Sequence, residues 1–315
     1  MIRRAVASLA VLAVALVAGG CAITPVVPFK HSTFEGFDVI SYIPEHPRGV
    51  VYVFHGTNGS ANFAEKLETT DVLNRLILRG YGFVSTSSTE RTGDQRWNAS
   101  DPSLTTNPDL ARLARLQANL VATTPVDANT PIVGIGMSNG ARFVTLWGQS
   151  WKDAGYPVKA IWASNGRTAQ PYSGAGQLKV PVVFTTAVND FTSPPNGVVA
   201  SFVAAHNHGT PSEFYNAQER KLNAAQYERV PGVDPNEAKQ IFFSLVASGV
   251  WDGQGNRIEP DPVAAAAKAL AAQLPASVAP QRAAINDESF VILAVHQFSA
   301  EYAEQVISFF DRFVP

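Results

Sequence analysis

The chain has 315 residues, 46% of them hydrophobic and 16% charged, with a formal net charge of −2. That is long and apolar enough to bury a large core, as one domain carrying an insertion would. A near-neutral balance without a Lys/Arg block excludes a nucleic-acid-binding role.

Arg3 and Arg4 precede an apolar run over residues 5–17, followed by Ala18-Gly19-Gly20-Cys21. A charged start, a short apolar middle and a small-residue end describe a secretory signal, so residues 1–20 are expected to direct export and be removed. The run is too short for a permanent membrane span. Cys21 is the single cysteine, so no internal disulfide forms. Its place after two glycines resembles the lipidation box of bacterial lipoproteins, although that box usually has Leu where Ala18 stands. Two expectations stay open: a lipid anchor to a bacterial membrane through Cys21, or simple cleavage giving a secreted or periplasmic protein. Residues 21–32 read as a linker.

From residue 33 the expected elements alternate. "FDVISYIP" reads as a strand, "EHPRG" as a turn, and "VVYVFHG" as a strand apolar at nearly every position, hence covered on both faces. "ANFAEKLETTDVLNRLILRG" has helical spacing and stops at Gly80. "YGFVSTSS" is a strand, residues 89–108 a polar loop, and "DLARLARLQANLVAT" a helix. Strand "PIVGIGM", helix "NGARFVTLWGQSWKDAG", strands "VKAIWAS" and "VPVVFTTAV", helix "GVVASFVAAHNHG" and strand "SEFYNA" follow. This order predicts an α/β fold: a mostly parallel central sheet with helices on both faces. Residues 219–289 break the alternation with two helical segments among Pro- and Gly-rich pieces. "SAEYAEQVISFFDRF" then closes the domain as an amphipathic helix. The expected division is a core of 33–218 and 290–315 and a helical insertion of 219–289.

Gly136-Met137-Ser138-Asn139-Gly140 is a G-x-S-x-G between a strand and a helix. That context is what a nucleophile elbow requires: glycines where side chains would clash, and a helix N-terminus offering unpaired N–H groups and partial positive charge. The Asn139 N–H would point at a developing oxyanion. His55-Gly56-Thr57 follows a buried strand, where a second donor is needed. With this His-Gly loop, the elbow, and the order nucleophile, acid, histidine, the chain resembles the α/β-hydrolase superfamily over residues 33–218 and 290–315. The resemblance implies an α/β-hydrolase fold with a cap and makes the Thr57 N–H the second oxyanion donor. It leaves the His55 imidazole a bracing role.

Asp190 stands at the carboxyl end of an apolar strand, where ligand-facing residues of open α/β sheets gather. Capping its turn is the alternative role. The preceding strand ends in Ser164 and Asn165 and offers no acid. Of six histidines, His31 and His46 precede the machinery, and His206 and His208 sit at a helix end on the opposite sheet edge. His296, just before the last helix, is the expected base, although 106 positions separate it from Asp190. A Ser–His–Asp set makes acyl–serine chemistry and calls for no metal or organic cofactor. The expected function is an exported serine hydrolase of small-molecule carboxylic esters, a carboxylesterase. The alternatives are a non-catalytic surface lipoprotein retaining the fold, or a polyester depolymerase or acyltransferase of the same superfamily. An insertion returning to the active-site edge is expected to cap the pocket, with Phe242, Phe243, Leu245 and Trp251 at its rim. Trp97, Trp147 and Trp251 could line that pocket or belong to the core.

Overall fold

The computed structural model describes residues 22–174 and 177–315. The signal segment and Cys21 lie outside the described residues. Within them, eight strands form one sheet in the order β1-β2-β4-β3-β5-β6-β7-β8. The strands are β1 (Lys30–Phe34), β2 (Phe37–Tyr42), β3 (Gly49–Phe54), β4 (Tyr81–Thr86), β5 (Ile132–Met137), β6 (Val158–Ser164), β7 (Val182–Ala187) and β8 (Ser212–Ala217). β1 pairs with β2, and β2 with β4, antiparallel; the other pairings are parallel. This is the strand order of the α/β-hydrolase fold, and the expected fold class is the one observed.

The period-two alternation of β3 sorts the two faces. Val50, Tyr52 and Phe54 pack with Leu110, Leu113 and Leu116 of α2 (Pro108–Thr123) and Phe143 and Trp147 of α3 (Asn139–Asp153). Val51 and Val53 pack on the other face with Val72 and Leu73 of α1 (Leu67–Leu78) and with Val306, Ile307 and Phe310 of the closing helix, Ala303–Asp311. Helix α4 (Pro195–Asn207) joins β7 to β8 and places His206 and His208, both exposed, at its C-terminal end.

Between β8 and the closing helix run three helices, α5 (Pro235–Ala247), α6 (Pro262–Ala271) and α7 (Arg282–Ile292); the closing helix is therefore α8. They share a core of their own, in which Tyr227, Ile241, Leu245, Trp251, Ala265 and Ile285 are buried. The layer is tied to the sheet domain by Arg229, whose guanidinium donates to Glu68 of α1 at 2.7 Å and to Glu288 of α7 at 3.1 Å. Burial and the facing Glu68 charge push the Glu288 carboxyl up from its ordinary range. No helix among the described residues is long and apolar enough to cross a membrane.

Three expectations change. The linker assigned to residues 21–32 gives way to β1 at Lys30. Glu35 (φ 51°) and Gly36 (φ 80°) form a two-residue connection with both residues left-handed, which matches strand twist. Glu is rarely the first residue of such a turn, and the exposed β1 lacks an apolar face, so neither signal was visible. The helix expected over residues 61–80 breaks at Lys66, whose ψ is 144°, into a short 3-10 turn at Ala61–Glu65 and α1. Helix α7 was not expected, because Gln281 at its N-cap makes no side-chain capping bond and Pro280 stands just before.

Candidate active site

Ser138 follows β5 and opens α3 with φ 57° and ψ −115°, a conformation costly for a residue with a Cβ. The surrounding chain holds it there. Its N–H donates to Ser164 O at 2.9 Å, at the end of neighbouring β6. The flanking glycines answer to close approach. A Cβ on Gly136 would lie 2.1 Å from Gly140 O, and one on Gly140 would lie 2.3 Å from Phe54 O. Neither position admits any other residue without moving backbone.

Asp190 sits in the turn after β7 and is buried. Its two carboxylate oxygens divide the work weighed in the sequence. Oδ1 accepts the N–H groups of Thr192 (3.0 Å) and Ser193 (2.7 Å), and so fastens the turn. Oδ2 accepts from His296 Nδ1 at 2.7 Å. His296 Nε2 lies 2.8 Å from Ser138 Oγ. With Nδ1–H committed to the carboxylate, Nε2 carries the lone pair and accepts from the serine hydroxyl. Ser138, Asp190 and His296 thus form one continuous chain of hydrogen bonds.

His296 comes not from a strand end but from the loop between α7 and α8, and three residues the sequence reading missed hold that loop. Asn189 receives the Ala294 carbonyl on its N–H at 2.9 Å and donates its amide to Leu293 O at 2.8 Å. Asn165, itself left-handed at φ 53°, donates to Gln297 O at 2.7 Å. The Ala300 N–H donates to Glu68 at 2.6 Å. An Asn directly beyond each of two sheet strands was the available signal, since Asn tolerates left-handed backbone and bonds neighbouring main chain.

The cleft in front of Ser138 has a volume of about 590 Å³ and is lined by residues 55–60, Asn62, Phe63, Lys66, Arg96, Met137, Ser138, Thr192 and residues 296–298. Thr57 is among them. Its N–H and that of Asn139, the first residue of α3, donate to no protein acceptor among the described residues. Thr57 thus brings an unpaired N–H to the cleft, and the unpaired Asn139 N–H follows directly on Ser138 in the chain. The Asn139 side chain turns the other way: Oδ1 accepts from Trp97 N at 2.7 Å and Nδ2 donates to Trp97 O at 3.2 Å.

His55 is buried beneath the loop, with Nδ1 2.6 Å from Gly56 O and Nε2 accepting from Ser88 N at 3.1 Å. Both contacts suit a neutral imidazole protonated at Nδ1. Burial, reinforced by the Arg91 and Arg112 charges, lowers its pKa to about 4, against a smaller opposing effect of the Gly56 carbonyl. This is the bracing role expected.

The rim expectation fails. Leu245 and Trp251 are buried in the helical layer's own core, Phe242 packs against it, and Phe243 is 66% exposed beside α6. None lines the cleft, nor does any residue of 219–289. The layer's helices pack on one another, and its exposed apolar residues Phe243, Ile258, Val263 and Leu270 do not line the cleft. The layer reaches the rim through Asp287, which binds Lys66 at 2.9 Å. Trp97 and Trp147 are likewise core residues.

No protein-family model and no curated protein matches the chain. Among solved structures it is similar to esterase PE8, at 17% identity and a TM-score of 0.46 over 61% of this chain and 90% of that one. A carboxylesterase from Mesorhizobium loti is 15% identical at a TM-score of 0.45, over 64% and 96%. Est1E from Butyrivibrio proteoclasticus, solved with ferulic acid bound, is 12% identical at 0.43, over 60% and 89%.

Proposed function

We propose that the chain is a serine hydrolase of carboxylic esters, with Ser138 as nucleophile, His296 as general base and acid, and Asp190 as the group that orients and stabilises the imidazole. The observation that carries this reading is the unbroken run from Asp190 Oδ2 through His296 to Ser138 Oγ, at 2.7 and 2.8 Å, at the floor of an open cleft.

In the first half-reaction Ser138 Oγ bonds to the ester carbonyl carbon while its proton passes to His296 Nε2. The carbonyl electron pair moves onto oxygen, where the N–H groups of Thr57 and Asn139 stabilise it. The intermediate collapses, the C–O bond to the alcohol breaks, and the alcohol leaves with the proton from His296. Water then takes the place of the serine: His296 removes its proton as the water oxygen adds to the acyl carbon, and the Ser138 ester bond breaks as His296 returns the proton to Ser138 Oγ, releasing the acid. Each half-reaction returns the imidazole to its starting state.

The test is labelling with a fluorophosphonate together with hydrolysis of 4-nitrophenyl esters. The wild-type protein should label on Ser138 and turn over. Ser138→Ala should not label, and should lose roughly 10⁴–10⁶ in kcat with an unchanged circular dichroism spectrum. Retention of more than about a tenth of the wild-type rate would overturn the assignment.

Residues 1–20 are proposed as an export signal and Cys21 as the acylated first residue. Metabolic labelling with a fatty-acid analogue should mark the wild-type protein and not Cys21→Ala. Release of an unacylated wild-type protein would refute the anchor.

A further inference from the structure

Resting on Ser138 as nucleophile, the charges around the cleft narrow the substrate. Lys66 and Arg96 are the charged side chains among the described lining residues, and no carboxylate lines the cleft. Each cation is paired with a carboxylate. Lys66 Nζ is 2.9 Å from Asp287 Oδ2, and Arg96 Nη2 is 2.8 Å from Asp94 Oδ2. The Arg96 main chain is fixed as well, its N–H donating to Glu90 Oε2 at 2.9 Å. Asp94 and Asp287 pair with the two cations, and Glu90 holds the Arg96 main chain. The pairings leave further N–H donors on both: an ammonium has three and a guanidinium five.

Two more cations lie behind the floor. Arg91 donates to Gly59 O at 3.0 Å and to Gln95 at 2.9 Å and has no carboxylate partner among the described ion pairs. Arg112 is buried, bonded to Thr86 and the Ser87 carbonyl. Both disfavour a proton on His55. The N-terminus of α3 points the same way, with its partial positive charge at Ser138. On the opposing side, Asp190 is committed to His296 and to two backbone N–H groups, and the Asp109 and Glu35 charges face Arg112. Lys66 and Arg96 are thus the cations of the lining itself, which also holds the apolar side chains of Met137, Phe63 and Phe298, the last two edge to face with centroids 5.5 Å apart.

We infer that the preferred substrates are half-esters of dicarboxylic acids, in which a short apolar spacer lies along the Phe63–Phe298–Met137 wall and the free carboxylate meets Lys66 and Arg96. Partly exposed pairs are individually weak, so the preference is about five- to twentyfold and not absolute.

The experiment compares kcat/KM for monomethyl adipate, its neutral analogue methyl 5-carbamoylpentanoate and the cationic methyl 6-aminohexanoate. Fluorophosphonate labelling is run on the same preparation. The acidic ester should lead the amide by about five- to twentyfold, and the amine should trail both. The lead should shrink to about twofold or less in 1 M NaCl, where the screening length is about 3 Å. The Lys66→Gln/Arg96→Gln double variant, checked for an unchanged melting curve, should bring the acid-to-amide ratio close to one. The ratio rather than the absolute rate is the readout, so general damage to the site cancels. A protein that labels and hydrolyses the amide at least as fast as the acid overturns this inference and leaves the nucleophile standing. A protein that neither labels nor cleaves any of the three overturns both. A lead that survives salt and the double variant assigns the preference to other groups and overturns it too.

Discussion

At the scale of single residues, the site holds one residue in a costly backbone conformation and one whose proton affinity is lowered by burial. Ser138 is kept left-handed, and His55 is kept neutral. The second has a consequence for stability. The folded-state pKa of His55 is depressed to about 4 from an ordinary 6.5. Below 6.5 the unfolded chain therefore binds a proton that the folded one refuses. The contribution is fully present above pH 6.5 and is lost as pH falls toward 4. It amounts to on the order of 3 kcal/mol for a shift of this size. Urea unfolding at pH 7 and pH 4.5 should show wild type losing more stability on acidification than His55→Gln, by about 2–3 kcal/mol. Equal losses would refute the neutral, buried imidazole. The residue types of the candidate site were legible because the proposed acyl transfer restricts them so tightly, and Ser138, Asp190 and His296 lie in one run of hydrogen bonds. Asn165 and Asn189 were not legible. Asn165 accepts a left-handed backbone and both hold the returning His296 loop, and that loop is invisible until the chain has folded.

At the scale of elements, the polar stretch over residues 89–107 is a clamp. It grips the oxyanion loop at three points: Asp94 O accepts from Asn58 N (2.7 Å), Arg91 donates to Gly59 O (3.0 Å), and Trp97 Nε1 donates to His55 O (3.1 Å). Asp109, buried at the start of α2, ties the start of the stretch to its middle by accepting from Thr89 N at 2.6 Å and Asn98 N at 2.7 Å. The Asn139 amide then pins Trp97 to the elbow by a pair of bonds. Asn139→Ala keeps the backbone N–H but releases the clamp. It is expected to lower kcat about tenfold to a hundredfold, the scale of one or two lost buried hydrogen bonds. Tryptic cleavage at Arg91 or Arg96 should accelerate in parallel. A slower enzyme with an unchanged cleavage rate would place the effect elsewhere. Composition marked this stretch as a loop because its Asn, Asp, Gly and Ser residues favour turns. It could not mark the loop as rigid, since its partners lie up to 42 positions away.

At the scale of the whole molecule, the sheet was readable because apolar runs and the spacing between them repeat along the chain. The helical layer was readable only as helices. Amphipathic segments declare that they bury a face, not which neighbour receives it. Here the neighbour is the layer itself, with Trp251 at its centre and 1% exposed. Trp251→Ala should therefore cost about 3–5 kcal/mol of stability. It should leave the ratio of kcat/KM for acetate and octanoate esters within about twofold of wild type, because a pocket contact would shift that ratio by tenfold or more. Melting temperature and the two rate ratios are the measurements. A changed chain-length preference without a stability loss would restore the layer to the pocket rim.

The route of the chain from Asp190 to His296 also sets a timetable. The two residues are 106 positions apart and the whole helical layer lies between them. A growing polypeptide that has emerged as far as α7 already carries the elbow, the oxyanion loop and the acid. It has no base, and a serine hydroxyl without one is a poor nucleophile. On the proposed chemistry, hydrolytic competence arrives in a single late event. That event is the docking of the layer, which brings the Ala294 carbonyl onto Asn189 and swings the imidazole over Ser138. On that chemistry a chain ending after α7 should cleave no ester, because the base has yet to join the serine and the acid.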